Sequence, residues 1–244
     1  MALPTAIVTG GAGNLGAVIA KSLVQKGYNV AIFDTDISSR NEILQEYFCV
    51  DVDVTNESAV NSAVDKVSGM FGDIHLLVNC AGSIMSAPLI NITNRESPRH
   101  GFTLFKNHIE TNLSSVFLVG SIVAERMIST RTKGVIVNIS SVCACGNKGQ
   151  SAYSAAKAGV EALTKVWGKE LGAFGIRVAA VAPGFIDTKS TSSALSEQKL
   201  KEIKSATPLR RLGNAENVAQ AICAITENDF ITGAIIAVDG GVVL

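Results

Sequence analysis

The sequence predicts an α/β protein: a single doubly wound domain, residues 1–244, around a parallel seven-stranded sheet. Three observations predict it. Short β-branched runs alternate with stretches of helical periodicity along the chain, the order that gives parallel strands joined by helices. Apolar residues make up 47% of the sequence but aromatics only 5%, so the core is built from Ala, Val, Ile and Leu, the mixture of a sheet buried on both faces. The 244 residues contain no repeat, linker or low-complexity block and are within reach of one domain.

Thr5 to Thr9 is a β-branched run that ends in glycine. Asn14 to Lys26 carries Leu15, Val18, Ile19 and Leu23 at helical spacing, and Gly27 follows as a C-terminal cap. Asn29 to Phe33 is a second strand, closed by Asp34. Ser39 to Glu46 reads as a short helix and Tyr47 to Val50 as a third strand, closed by Asp51 to Val54. Asn56 to Met70 is a helix with Thr55 or Asn56 as its N-cap, and His75 to Asn79 a fourth strand. Cys80 to Lys106 has no clear period and holds Pro88, Asn91, Asn94, Pro98 and Gly101; loops of this length inside compact domains are usually functional. A long helix is expected over Asn107 to Thr130, a fifth strand over Val135 to Ile139, a helix over Ala152 to Ala173 and a sixth strand over Ile176 to Val181. Beyond Pro183 and Gly184 come a Ser/Thr-rich stretch, a short helix over Ser196 to Lys204, a helix over Ala215 to Thr226 and a last strand over Ala234 to Val238. Such a sheet binds its ligand at the carboxyl ends of its strands, which singles out the segments after Thr9, Phe33, Asn79, Ile139 and Val181.

Composition excludes several function classes. Basic and acidic residues number 21 each, leaving no basic face for nucleic acid or a membrane surface. No apolar run of about 18 residues is present, so no membrane span is expected. Met1 to Thr9 leads into a strand pattern with no basic segment before it, so no secretory leader is expected either. Cys49, Cys80, Cys143, Cys145 and Cys223 are odd in number and sit among small apolar residues, as reduced thiols of a cytoplasmic protein do. His75, His100 and His108 have no zinc-ligand spacing, and no metal is expected.

Thr9-Gly10-Gly11-Ala12-Gly13-Asn14-Leu15-Gly16 joins the first strand to the first helix. Gly10, Gly13 and Gly16 allow a tight turn, close approach of a pyrophosphate and close packing of helix on strand, and the helix N-terminus presents partial positive charge to phosphate. A glycine trio after a first strand is the fingerprint of a Rossmann-type dinucleotide site. A P-loop is excluded, because Ala17 and Val18 follow Gly16 where Lys and Ser or Thr are required. Asp34 ends the second strand, where a carboxylate accepts hydrogen bonds from both ribose hydroxyls and repels a 2′-phosphate. The glycine loop holds no Lys or Arg, and the nearest base downstream of Asp34 is Arg40. NAD(H) is therefore expected rather than NADP(H).

Tyr153 and Lys157 stand at i and i+4 on one helical face. A phenol with an ordinary pKa near ~10 is a poor proton shuttle at neutral pH. A lysine ammonium one turn away brings it toward working pH. Just upstream, Asn138-Ile139-Ser140-Ser141 ends the fifth strand at the ligand edge, where a serine hydroxyl can hold a substrate oxygen beside the tyrosine.

These residues resemble the classical short-chain dehydrogenase/reductase family. The resemblance runs over nearly the whole chain and rests on motifs in the family's order: the loop Thr9 to Gly16, Asp53-Val54, Asn79-Cys80-Ala81-Gly82, Asn112, Ser140-Ser141, Tyr153 with Lys157, Pro183-Gly184, and Asp239-Gly240-Gly241. It implies that Tyr153 is the catalytic acid/base. Lys157 would hold the nicotinamide ribose and lower the Tyr153 pKa, a serine would position the substrate carbonyl, and Asn112 would support a water relay to Lys157. It further implies Asp53 and Val54 against adenine, Asn79, Ala81 and Gly82 against the cofactor, and Ile186 and Thr188 at the carboxamide. The chain departs from the pattern in three places. Its glycines are spaced G-x-x-G-x-x-G, Cys80 stands where asparagine is usual, and the loop between the serines and Tyr153 is one residue short if Ser141 is the active serine. Ser141 is preferred over Ser140 because Val142-Cys143-Ala144 matches the pattern better from there.

The resemblance implies an oxidoreductase interconverting a secondary alcohol and a ketone, nearest to the branch of fatty acid metabolism acting on 3-hydroxyacyl and 3-oxoacyl thioesters. Dehydrogenation of a sugar, steroid or diol is the runner-up; a dinucleotide sensor on the same fold would be free to lose Tyr153 or Lys157, and both are present. A homotetramer is expected. The helices 107–130 and 152–173 carry Leu113, Val116, Phe117, Leu163, Val166 and Trp167 on more than one face, and members of the family pair through these two helices.

Overall fold

The computed structural model describes residues 2–37, 47–188 and 196–244. Among the described residues seven strands are seen: β1 (Thr5–Thr9), β2 (Asn29–Asp34), β3 (Phe48–Asp51), β4 (Ile74–Asn79), β5 (Val135–Ile139), β6 (Arg177–Pro183) and β7 (Ala234–Val238). Among the described residues the helices are α1 (Asn14–Gln25), α2 (Glu57–Phe71), α3 (Phe102–Ile109), α4 (Ser115–Ser129), α5 (Ser151–Glu170), α6 (Glu197–Ala206) and α7 (Ala215–Glu227). The strands form one sheet in the order β3-β2-β1-β4-β5-β6-β7, and every neighbouring pair is parallel. The order reverses between β1 and β4, so the crevice of this sheet opens where Thr9 and Asn79 end paired strands.

Alternation along the strands builds two cores. Ile7 of β1 packs under α2, α4 and α5 with Leu77, Val123 and Val160. Its neighbours Ala6 and Val8 turn to the other face, with Ile19 and Leu23 of α1 and Val218 and Ile222 of α7. Small residues let the layers close: a Cβ on Gly120 of α4 would lie 2.7 Å from the Trp167 ring of α5.

Most of the described strands and helices fall where the sequence places them, with shifted ends. Asn56, not Thr55, caps α2, its side chain accepting from the Ala59 amide at 3.0 Å. Gly27 ends the first helix with φ 84°, the left-handed conformation glycine allows. Two corrections concern the long helix expected over Asn107 to Thr130. It begins at Phe102, whose ring stacks on that of Phe105 with centroids 6.5 Å apart. A π turn over Glu110–Ser114 then interrupts it and separates α3 from α4. The helix expected to reach Ala173 ends at Glu170 and is followed by a 3-10 turn, Gly172–Phe174. The short helix over Ser39 to Glu46, with Arg40, lies outside the described residues. No helix is long and apolar enough to cross a membrane, and no cluster of three metal-ligating side chains occurs among the described residues.

Candidate active site

At the carboxyl end of β1 the chain turns sharply. Gly10 has φ 65°, and a Cβ there would lie 2.8 Å from Ala81 Cα, so the loop after β4 presses directly on it. A Cβ on Gly16 would lie 2.2 Å from the Gly10 carbonyl oxygen, and one on Gly13 would lie 3.1 Å from it. The Gly13 amide donates to the Gly10 carbonyl at 3.0 Å, closing the turn. Gly13 is the N-cap of α1 and offers no side chain, and no acidic residue occupies the first turn, which Asn14, Leu15 and Gly16 form. A twelve-residue helix therefore directs its N-terminal dipole at the crevice without a side-chain cap. Asp34 closes β2 beside the loop; its Oδ2 accepts from the Ala12 amide at 3.0 Å and its Oδ1 from the Asp36 amide at 3.2 Å. Glycines whose Cβ positions are crowded by backbone, a helix start with no acidic residue in its first turn and a strand-end carboxylate together fit a dinucleotide.

The loop after β4 is tied down from two sides. Thr9 Oγ1 accepts from the amides of Cys80 and Ala81, both at 3.0 Å. Asn79 Nδ2 donates to Asn138 Oδ1 at 2.9 Å, Asn138 Nδ2 donates to Thr164 Oγ1 at 2.9 Å, and Thr164 Oγ1 donates to the Val160 carbonyl at 2.8 Å. This buried chain joins β4, β5 and α5, so the Asn79 amide braces the floor of the crevice. Asp53 Oδ1 accepts from the Thr55 amide and hydroxyl at 2.9 and 2.7 Å, which shapes the turn after β3, while Val54 enters the core.

Tyr153 and Lys157 lie on α5 and are both buried. Burial pushes the Tyr153 phenol up to about 12, opposed by a hydrogen bond with the Ser141 side chain. Ser141 Oγ also accepts from the Cys143 amide at 3.1 Å, capping the 3-10 turn Val142–Cys145. Ser140 turns away from the tyrosine: its hydroxyl donates to Glu161 Oε1 at 2.9 Å. Lys157 Nζ lies 5.7 Å from the Tyr153 ring centroid and donates to the Ile139 carbonyl at 2.7 Å. Burial lowers its pKa to about 8. Asn112 sits in the π turn; its Nδ2 donates to the His108 carbonyl at 3.0 Å and its Oδ1 accepts from the Ser83 amide at 3.1 Å. A Cβ on Gly82 would lie 2.7 Å from Asn112 Oδ1 and 3.8 Å from Lys157 Nζ, so Gly82, Asn112 and Lys157 converge.

Past the end of β6, the Gly184 amide donates to the Val238 carbonyl at 3.0 Å, and a Cβ on Gly184 would lie 2.7 Å from Asp239 Cα. Pro183 ends the strand, buried Ile186 bridges to Gly213, and Thr188 is the last described residue before position 196.

A family model described as Enoyl-(Acyl carrier protein) reductase matches residues 10–243. The chain belongs to the short-chain dehydrogenase/reductase family. It is thus an oxidoreductase of a family that acts on CH–OH groups with a nicotinamide dinucleotide. A 3-oxoacyl-(acyl-carrier-protein) reductase of Chlamydia muridarum is 36% identical, over 97% of this chain and 96% of the relative. A 3-hydroxyacyl-CoA dehydrogenase type-2 of Drosophila melanogaster is 34% identical, over 96% of this chain and 95% of the relative. Among solved structures, a putative gluconate dehydrogenase from Agrobacterium tumefaciens superposes with a TM-score of 0.89 at 30% identity, covering 98% of this chain and 95% of that one.

Several contributors to this short-chain dehydrogenase site escape the sequence motifs. Thr164, inside α5, acts from beneath by accepting from the Asn138 side chain, and Thr9 and Asn138, which lie within the segments named in the sequence, take bracing roles that those segments do not announce. Gln150 Nε2 donates to Ser86 Oγ at 3.3 Å and the Ala87 amide donates to the Gly149 carbonyl at 2.7 Å, a clasp between distant loops that no local pattern announces.

Proposed function

We propose that this short-chain oxidoreductase uses NAD(H) to interconvert a secondary alcohol and a ketone, with 3-hydroxyacyl and 3-oxoacyl thioesters as substrates. The observation that carries the reading is the grouping of a buried Tyr153, its hydrogen bond to Ser141 and the Lys157 ammonium 5.7 Å from the ring, beside a glycine cradle that Asp34 closes. In the reducing direction Ser141 and Tyr153 hold the substrate carbonyl oxygen, and Tyr153 gives it a proton. A phenol at about 12 is a weak acid for this work, and the nearby ammonium favours the phenolate that must form. The Ile139 carbonyl fixes that ammonium, and Asn112 is read as the anchor of the water that resupplies the proton. When bound, the nicotinamide supplies or accepts the hydride.

Gly10, Gly13, Asn14, Leu15 and Gly16 are read as the pyrophosphate cradle and Asp34 as the ribose ligand. Asp53 and Val54 are assigned to the adenine side, and Asn79, Ala81, Gly82, Pro183, Gly184, Ile186 and Thr188 to the nicotinamide side. Asp34 supports NAD(H), because its carboxylate would meet a 2′-phosphate with like charge. The Asp34→Ala variant is expected to narrow the preference for NADH over NADPH, measured as kcat/KM for each; equal values in the unaltered protein would remove the argument.

The likeness to a 3-oxoacyl-(acyl-carrier-protein) reductase and to a 3-hydroxyacyl-CoA dehydrogenase supports the thioester class. A CoA thioester is proposed to serve at least as well as a carrier-bound one. Arg131 is exposed near the start of β5, but the turn just before β6, Gly172–Phe174, holds no base and exposes Phe174 instead, and the net charge is zero, so steering of an acidic carrier is weak. The assay is acetoacetyl-CoA reduction followed by NADH absorbance, beside an acyl-carrier substrate and a panel of ketones. The likeness to a putative gluconate dehydrogenase favours a second reading, a sugar or other polyol; turnover of such an alcohol with none of the thioesters would establish it. Five cysteines that form no disulfide fit a protein that acts in the reducing cytoplasm.

A further inference from the structure

Four consecutive residues at the end of β5 are each bonded to α5. Asn138 Nδ2 donates to Thr164 Oγ1 at 2.9 Å, and the Ile139 carbonyl accepts from Lys157 Nζ at 2.7 Å. Ser140 Oγ donates to Glu161 Oε1 at 2.9 Å, and Ser141 is hydrogen-bonded to Tyr153. Three of these bonds have a part in the site already described, two by ending on Lys157 and Tyr153 and one by bracing the floor. The bond from Ser140 to Glu161 has none. It is nevertheless the one of the four made to a carboxylate, and a charged acceptor holds a hydroxyl more strongly than a neutral one.

Strand geometry explains the arrangement. The Ser140 amide donates to the Val181 carbonyl at 2.8 Å, so the ladder between β5 and β6 runs one residue past Ile139. Alternation then puts Ile136, Asn138 and Ser140 on one face, where Ile136 packs with Val160 and Trp167 of α5. Ser140 is buried there, and Glu161 is half-buried. Ser141 follows in extended backbone with φ −168°, so its hydroxyl goes where residue 140 is held. The Ser140 hydroxyl has a second acceptor, the Lys157 carbonyl, at 3.4 Å. That is about half an ångström longer than an ordinary bond between oxygens. Without Glu161 the hydroxyl is left with that carbonyl, and an ordinary bond to it requires the strand end to move, carrying Ser141 along.

We infer that Ser140 and Glu161 are positioning residues for the reaction: their bond fixes the end of β5 against α5 and so delivers the Ser141 hydroxyl to Tyr153 and the substrate oxygen. This rests on the reading of Ser141 and Tyr153 given above. Neither Ser140 nor Glu161 touches the substrate in this role. Displacement of a reacting group by up to an ångström costs about ten- to a hundredfold in rate, so a small shift of the strand end is felt in turnover.

The experiment measures kcat and KM for acetoacetyl-CoA, and NADH affinity by fluorescence titration, in variants of the full chain. Ser140→Ala and Glu161→Ala are each expected to lower kcat about tenfold while NADH affinity stays unchanged. Glu161→Gln keeps an acceptor for the Ser140 hydroxyl and is expected to retain most of the turnover. The double variant Ser140→Ala/Glu161→Ala should be no slower than either single one, because the two residues act as a unit. In the Ser141→Ala background, Glu161→Ala is expected to cost nothing further, whereas a merely structural role would cost the same in both backgrounds. Near-normal kcat in Ser140→Ala and Glu161→Ala, or an equal loss from Glu161→Ala when Ser141 is absent, overturns the inference. Glu161→Gln as slow as Glu161→Ala overturns it too, in favour of a role for the charge. If Glu161→Ala does not fold, Ser140→Ala in the two backgrounds gives the same comparison. Full turnover in Ser141→Ala alone overturns the reading of the site on which the inference rests. If acetoacetyl-CoA is not turned over, the thioester class fails, and the same variants are read with the ketone or polyol that the panel identifies.

Discussion

Tyr153 and Lys157 act as one unit whose charge state follows from burial. Substitution of Tyr153 by Phe keeps the ring and removes the proton, so turnover is expected to fall at least about a hundredfold. NADH affinity, read by fluorescence titration, should stay nearly intact; retained turnover would end the assigned role. Lys157, lowered to about 8, carries its charge below that pH and loses it above. Carbonyl reduction that depends on the ammonium is therefore expected to decline as pH rises through about 8, read in kcat/KM for the ketone, whereas Lys157→Arg, charged throughout, should shift that limb upward. The Tyr153 and Lys157 pair is legible in the sequence because i, i+4 spacing fixes which side chains share a helical face. The choice between Ser140 and Ser141 is not. Both stand past the end of β5, and what orients them is a turn that Ser141 caps and a contact from Ser140 to Glu161, neither of which any local spacing announces.

Helix and strand identities follow from periodicity, but their ends and irregularities follow from contacts. Gly101 starts α3 without a side-chain cap, so Phe102 and Phe105 read as loop until the helix is seen. The π turn at Glu110–Ser114 has no sequence pattern of its own; it places Asn112 against Gly82 and is stabilised there by the bonds from Asn112 to His108 and Ser83. Packing between α4 and α5 is equally particular. Gly120→Ala would drive a methyl into the rigid Trp167 ring, and overpacking of this kind is expected to cost about 1–3 kcal/mol, read as a lower denaturation midpoint at unchanged slope. An unchanged midpoint would mean the two helices separate easily.

The whole molecule is a parallel, doubly wound sheet, a class readable from strand and helix alternation, whereas the strand order is seen only in the structure. Its outer surface is less readable. Phe117 and Val166 are exposed by 54% and 46%, and the Phe117 ring lies 6.2 Å from that of Trp167, so α4 and α5 share an uncovered apolar face. Pairing of copies through that face, as a homotetramer, is the proposal; light scattering at micromolar concentration should give a multiple of the chain mass, and Phe117→Lys with Val166→Lys should reduce it. A monomer mass in the unaltered protein would contradict the proposal.

The contact of Gly184 with Asp239 has a consequence for biosynthesis. β7 is made after β6, yet Val238 and Asp239 hold the turn that follows β6 at the crevice. Because domains gain structure as they emerge, that turn gains its support only when β7 has left the ribosome and docked on β6. Nascent chains are therefore expected to lack a finished crevice until translation has passed Asp239.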